Sequence, residues 1–315
     1  MPDLMRYRIE AIVRHGPAVK EFRLAPEGGA PLPPWQPGAH VELEFTSRAG
    51  VRHRNAYSVV GEQGGMLRIA VQREDGGRGG SRVLHDEFEP GMTLEARAPL
   101  DAFKLHAGRT RTVLIAGGIG ITPMLPMARA LDAAGASYRL HYLAREAERL
   151  VLADDWTALG PERVQTHVTA TQGRPDLAGL IGPWEEGCEL HACGPSLLLE
   201  AIRAAATAQG WPQQHVRFES FGARTHDQDQ PLQVVLRQTG MTLDVAPGKS
   251  ILDAMIEADV FVSYECKRGE CGNCYAGVVS GEPLHRDVCL NAQQRAIGMT
   301  PCVSWARGPL LELDL

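Results

Sequence analysis

The feature that most constrains this chain is a set of four cysteines near its end. Cys266, Cys271 and Cys274 stand as C-x4-C-x2-C, and Cys302 follows after 27 further residues. This is the plant-type [2Fe–2S] spacing. Each iron takes two thiolates, so a tight loop must carry three sulfurs and a distant segment must return with the fourth. Gly269 and Gly272 lie between the ligands, where backbone N–H groups have to approach the sulfides and a positive φ is needed. Those N–H groups would also stabilise the charge of the reduced cluster. A zinc site is the main alternative, but structural zinc pairs its ligands in two short C-x2-C-like steps, which this spacing does not. Cys289 is off the pattern and reads as a packed thiol.

Composition narrows the rest. Seven cysteines, five of them after residue 265, fit a disulfide framework poorly. Lys+Arg 32 against Asp+Glu 38 gives a net charge of −6, which argues against a partner bound through a broadly basic surface, so no nucleic acid is expected. No apolar run approaches the roughly 18 residues of a membrane span, and Met1 to Glu10 holds no apolar signal core. A cytoplasmic chain with no membrane association is expected, and a monomer.

At 315 residues the chain should hold two to three domains. Residues 1–106 read as short alternating strands broken by Gly/Pro turns, such as Ala39–Phe45 and Leu67–Val71, and predict an antiparallel β-barrel. From 107 the pattern changes. The apolar strand Thr112–Ala116 leads to Gly117-Gly118-Ile119-Gly120 and a helix opened by Pro123 that stops near Gly135. Strands at Tyr138–Leu143, Val164–Thr171, Glu189–Cys193 and His215–Glu219, with a helix from Ser196 to Gln209, predict a doubly wound parallel sheet over 107–226. Thr225–Pro231 is polar and reads as linker, the domain break being set at 227–231. From Leu232 to the C-terminus a hairpin around Thr239-Gly240 and a short helix, Ser250–Ala258, predict a third, α+β unit.

The order barrel, nucleotide domain, C-terminal ferredoxin, with Glu265-Cys266-Lys267-Arg268-Gly269-Glu270-Cys271-Gly272-Asn273-Cys274, resembles the phthalate dioxygenase reductase family over essentially the whole chain. That family comprises the FMN- and NADH-using reductase components of two-component Rieske oxygenases. The likeness implies that the third unit is a β-grasp ferredoxin domain. The resemblance implies FMN, NADH and a [2Fe–2S] cluster as cofactors, and a Rieske-type oxygenase as the partner that accepts the electrons.

For the flavin, the resemblance points to Asn55-Ala56-Tyr57-Ser58 and Gly79-Gly80-Ser81-Arg82. Tyr57 would face the ring, Ser58 would meet N5, and the two glycines with Ser81 and an arginine would cradle the phosphate. The family's arginine two residues before the tyrosine is Asn55 here, with Arg54 displaced by one. Arg54 reaches the phosphate only if the strand bulges. Without the family, Tyr57-Ser58 is an ordinary strand dipeptide and Gly76–Gly80 a flexible loop.

For the nicotinamide, Gly117, Gly118, Gly120, Thr122 and Pro123 follow a buried strand and open a helix, where backbone can approach a pyrophosphate. The spacing is not G-x-G-x-x-G, and a ligand-free strand-to-helix turn reads equally well. By resemblance Cys193-Gly194-Pro195 sets its cysteine beside the ring from which hydride leaves, and Phe221 is the aromatic that yields to it. Each also reads as core, as Cys188 does. Arg145-Glu146 stands where the adenosine ribose is expected; the acid favours NADH and the arginine the phosphorylated cofactor. Lys267 and Arg268 either dock an acidic partner or serve solubility.

These parts make sense together. Hydride carries two electrons and a cluster takes one, and a flavin converts between them. A fall from about −400 mV to a Rieske centre at about −150 to +300 mV releases roughly 6–16 kcal/mol. Two other readings remain: a stand-alone flavin or ferric reductase, and a redox-sensing module without turnover.

Overall fold

The structure, a computed structural model, describes residues 4–75, 79–101, 103–221 and 229–315. The chain divides into two compact units, Met1–Arg217 and Phe218–Leu315. Of the predicted linker, Thr225 to Gln228 lie outside the described residues, as do Gly76 and Gly77 of the glycine-rich loop.

The first unit opens with a closed antiparallel barrel. Its strands are β1 (Met5–His15), β2 (Val19–Pro26), β3 (His40–Thr46), β4 (Arg52–Gln63), β5 (Met66–Gln72) and β6 (Thr93–Ala96), in the order β1-β2-β5-β4-β3-β6. Alternation explains it. Tyr7, Ile9, Phe22, Leu24, Val41, Leu43, Leu67 and Ile69 point inward and are buried, and closure leaves no edge strand exposed. Helix α1 (Gly80–Glu87) adds Leu84 to that core.

The same unit continues into an α/β layer: β7 (Arg111–Gly117), α2 (Ile121–Ala133), β8 (Tyr138–Ala144), α3 (Ala153–Thr157), β9 (Val164–Val168), α4 (Thr169–Gln172), α5 (Leu177–Ile181), β10 (Cys188–Cys193), α6 (Ser196–Ala208) and β11 (Val216–Glu219). The sheet order is β11-β10-β7-β8-β9, and β10, β7, β8 and β9 run parallel. From Thr112 to Gly117 β7 is buried at every position, as a central parallel strand is. Two boundaries differ from the sequence reading. Helix α2 begins at Ile121, two residues before Pro123, because the 3-10 turn Gly118–Gly120 already sets its direction. β9 ends at Val168 rather than Thr171: its partner β8 ends at Ala144, opposite Val168, and beyond that pair the Gln172 side chain takes up the Val168 N–H at 2.7 Å.

The second unit is a mixed sheet with one helix across it. β12 (Leu232–Leu236), β13 (Met241–Val245), α7 (Ile251–Glu257), β14 (Ala276–Ser280), β15 (Pro283–Leu284), α8 (Ala292–Ile297), β16 (Gly298–Met299), β17 (Trp305–Ala306) and β18 (Leu310–Leu313) follow in order. The main sheet runs β13-β12-β18-β14-β16; β12 and β18 are parallel and the other pairings antiparallel, the β-grasp arrangement. Ser250 caps α7 by accepting from the Asp253 N–H at 3.0 Å, and Ile251 and Met255 then enter the core beside Leu243 and Leu311. Among the described residues no helix is long and apolar enough to cross a membrane.

Candidate functional site

In the second unit the four cysteines neighbour one another. Cys274 and Cys302 are buried, Cys266 is half-buried and Cys271 is exposed. The sulfurs meet in two pairs. The hydrogen bond from the Cys302 thiol outweighs burial and pulls Cys274 down to about 7, while the same contact pushes Cys302 up. Burial raises Cys271, and contact with the Cys266 thiol adds to the rise. The loop turns N–H groups to the sulfurs: the Arg268 N–H lies 3.3 Å from Cys266 Sγ, the Asn273 N–H lies 3.5 Å from Cys271 Sγ, and the Gly269 N–H acts on Cys302. Gly269 has φ +70, and a side chain there would strike Val303 and the Asp287 backbone.

Lys267 and Arg268 are less available than the sequence suggests. Lys267 Nζ holds Asp253 at 2.8 Å over the Tyr264 ring, and Arg268 Nε holds Glu270 at 3.1 Å. Behind Arg268, burial and the Glu270 charge push the Glu219 carboxyl up to about 8. Cys289 is half-buried, and burial raises its thiol to about 12.

In the barrel, β4 pairs with β3 in unbroken register from Arg52–Thr46 to Ser58–His40, so no bulge turns Arg54. Arg54 and Ala56 are exposed, on the opposite face from His53, Asn55 and Tyr57. The Arg54 guanidinium pairs with Glu42 and lies 3.8 Å from Glu44. Ser58 is 4% exposed and its hydroxyl finds no partner among the described residues. A buried orphan of that kind suits a ligand with an acceptor. Gly79 caps α1 with φ +87, a conformation L side chains rarely adopt. A side chain on Gly79 would sit 3.4 Å from Arg82 Nη2 and 3.7 Å from His53 Cε1, and one on Gly80 would run into Asn55 Oδ1. Ser81 Oγ accepts from the Glu74 N–H at 3.0 Å, which leaves its proton to donate. His53, stacked on Phe45 with ring centroids 5.5 Å apart, was not singled out from sequence; its place on the same strand face as Asn55 and Tyr57 was the available signal.

In the α/β layer the two glycine motifs meet. β7 and β10 are adjacent, Ala116 standing opposite Cys193, and strand order reverses between them, where parallel sheets open a crevice at their carboxyl ends. A side chain on Gly120 would overlap the Cys193 carbonyl, and one on Gly194 would come within 3.1 Å of Gly117 Cα. The Thr122 hydroxyl donates to the Ile119 carbonyl at 2.9 Å and so tightens the turn under Gly118 and Pro123. Pro195 begins the turn into α6, and Cys193 is buried. Arg145 is exposed at the end of β8, with Glu146 shared between it at 3.9 Å and Arg149 at 3.0 Å. Phe221, in the second unit, is 41% exposed. A cleft of about 710 Å³ lined by His15, Glu21, Arg68, Arg129 and Asp155 contains none of these residues, and Arg68 within it is paired with Glu21 and Asp155.

Comparison with known proteins agrees with both units. A family model described as a 2Fe-2S iron-sulfur cluster binding domain matches residues 234–306. The heme-dependent oxidative N-demethylase beta subunit of Ectopseudomonas mendocina is 36% identical over 100% of both chains. The phthalate dioxygenase reductase of Burkholderia cepacia is 33% identical over 99% of this chain and 97% of its own. Oxidoreductase NdmD of Pseudomonas putida is 35% identical over 91% of this chain, which spans only 50% of it. Among solved structures, phthalate dioxygenase reductase, described as a modular structure for electron transfer from pyridine nucleotides to [2Fe–2S], superposes with a TM-score of 0.72 over 99% of this chain and 98% of that one, at 33% identity.

Proposed function

The chain belongs to the phthalate dioxygenase reductase family, and from that membership we propose that it carries electrons from NADH through FMN and a [2Fe–2S] cluster to a separate Rieske-type oxygenase. The observation that carries this reading is the presence on one chain of a glycine crevice at the sheet reversal and a loop of paired cysteine sulfurs. Bound there, a flavin would supply the conversion between a two-electron hydride and the single electrons that an iron–sulfur cluster takes.

In this reading the barrel, 1–106, holds the flavin: Tyr57 covers the ring, Ser58 donates to its N5 and the Gly79–Ser81 turn takes the phosphate. The part 107–226 holds the dinucleotide. Gly117, Gly118 and Gly120 admit the pyrophosphate to the start of α2, whose N-terminal N–H groups favour an anion. Cys193-Gly194-Pro195 would line the nicotinamide end and Arg145 the ribose end, and Phe221 has the place that the family gives to the aromatic yielding to nicotinamide. The ferredoxin part, 232–315, binds the two irons through Cys266, Cys271, Cys274 and Cys302.

The full-length likeness to a heme-dependent N-demethylase subunit favours one second reading, in which the acceptor is a haem centre. NADH-driven reduction of cytochrome c, measured before and after iron removal, tests the chain itself. The expected result is NADH bleaching of the flavin in both preparations and loss of cytochrome c reduction with the iron. Activity indifferent to iron would mark a simple flavin reductase, and no bleaching would mark a non-catalytic module. Purified Rieske and haem oxygenases offered as acceptors then separate the two partners.

A further inference from the structure

The sequence leaves open what replaces the arginine that the family carries where Asn55 stands. Taking the barrel as the flavin site, we propose that in this chain Arg82 and His53 bind the flavin phosphate, with the Asn55 amide as a neutral donor, and that Arg54 takes no part. Three observations converge on that assignment.

Strand geometry excludes Arg54. Its register with β3 is regular, it lies on the far face of β4 from Asn55, and its guanidinium is engaged by Glu42 and Glu44. His53, by contrast, shares the face of Asn55 and Tyr57, and its ring edge meets Gly79.

The glycine pair is kept bare by polar groups. Side chains on Gly79 and Gly80 would meet Arg82, His53 and Asn55, so these three surround the first turn of α1. The side chains of Arg82, His53 and Asn55 make no hydrogen bond or ion pair among the described residues, the His53 ring being stacked on Phe45.

Charge placement runs against the bare helix. The N-terminal end of a helix is positive and prefers acids, yet the first turn of α1 has no acid and carries Arg82. No side chain caps the turn either. A phosphate monoester, with about −1.5 to −2 charges, reverses that balance: it accepts from the free N–H groups and from Ser81, and the guanidinium is then paired. The positive charge has moved from the strand to the helix, and the anion sits between them.

The test uses the full chain, stripped of flavin and titrated with FMN or riboflavin, which differ only in the phosphate; binding is read from quenching of flavin fluorescence. Wild type is expected to prefer FMN. Arg82→Gln should weaken FMN about 10–100-fold, and His53→Gln about 3–10-fold, while both keep wild-type riboflavin affinity, which serves as the control for folding. Arg82→Lys should restore part of the FMN preference, and Arg54→Gln should leave both flavins unaffected. A doubly substituted Arg82→Gln, His53→Gln chain with the wild-type preference, or loss of that preference in Arg54→Gln, overturns the assignment. Failure of wild type to bind either flavin overturns the flavin reading of the barrel instead.

Discussion

Ser58 shows how much can rest on one hydroxyl. Ser58 stands on the same face of β4 as the exposed Arg54 and Ala56, yet it is buried, and its Oγ finds no partner among the described residues. An unsatisfied buried hydroxyl costs about 1–3 kcal/mol, and the fold bears that cost where a ligand atom can repay it. Ser58→Ala should therefore leave the flavin-free chain as stable as wild type or about 1 kcal/mol more so. In the flavin-loaded chain the same change should slow NADH bleaching of the flavin on the order of tenfold. Thermal denaturation of the stripped chain and stopped-flow absorbance read the two effects separately. The serine itself was legible in the sequence. Its isolation was not, since whether a hydroxyl finds a partner depends on neighbours brought in by other strands. The same limit applied to Arg54, whose ion pairs with Glu42 and Glu44 exist only across the β3–β4 register.

At the level of elements, β10 carries a buried charge that ties down the segment leading into β7. Glu189 is fully buried, with His106 Nδ1 at 2.7 Å, Arg109 Nε at 3.4 Å and Arg217 Nε at 3.5 Å. Burial pushes its carboxyl up, but hydrogen bonds and charge from His191 and His106 outweigh that and hold it at about 2. Burial also pushes His191 down, so near neutral pH the fixed positive charge on Glu189 comes from the two arginines. A carboxyl depressed in the fold stabilises it fully above the unfolded value of 4.5, and that stability is lost as pH falls towards 2. Denaturation midpoints of the wild type should therefore fall below pH 4.5 with a loss on the order of 3 kcal/mol. Glu189→Gln should be less stable at pH 7 and should lack this part of the acid limb. An identical acid limb in both chains would contradict the assignment. Nothing in the sequence marked Glu189, because one acid in an apolar strand gives no hint of the bases that a loop 83 residues earlier folds onto it.

Across the whole first unit, one carboxylate joins the barrel to the α/β layer. Asp155 on α3 receives the Arg68 guanidinium of β5 at 2.9 and 2.8 Å and also pairs with Arg129 of α2. Arg68 turns its other edge to Glu21 on β2, and Arg129 Nη1 donates to the Val60 carbonyl of β4 at 2.9 Å. Asp155→Ala should cost roughly 3 kcal/mol in urea denaturation, the lower end for breaking a buried pair because Arg129 is partly in water. Asp155→Asn should recover part of the loss. Local regularities were enough to read the barrel strands, the apolar β7, the glycine turn after it and the cysteine loop, because period, turn chemistry and ligand spacing act over a few residues and are written consecutively along the chain. Long-range assembly decided the rest: which arginine faces the glycine pair, which hydroxyl stays unpaired, that the Gly117–Gly120 and Cys193–Pro195 segments interlock, and that Lys267 and Arg268 turn inward. Those outcomes depend on contacts between groups tens of residues apart, where backbone register and burial choose among side chains that look equivalent in one dimension.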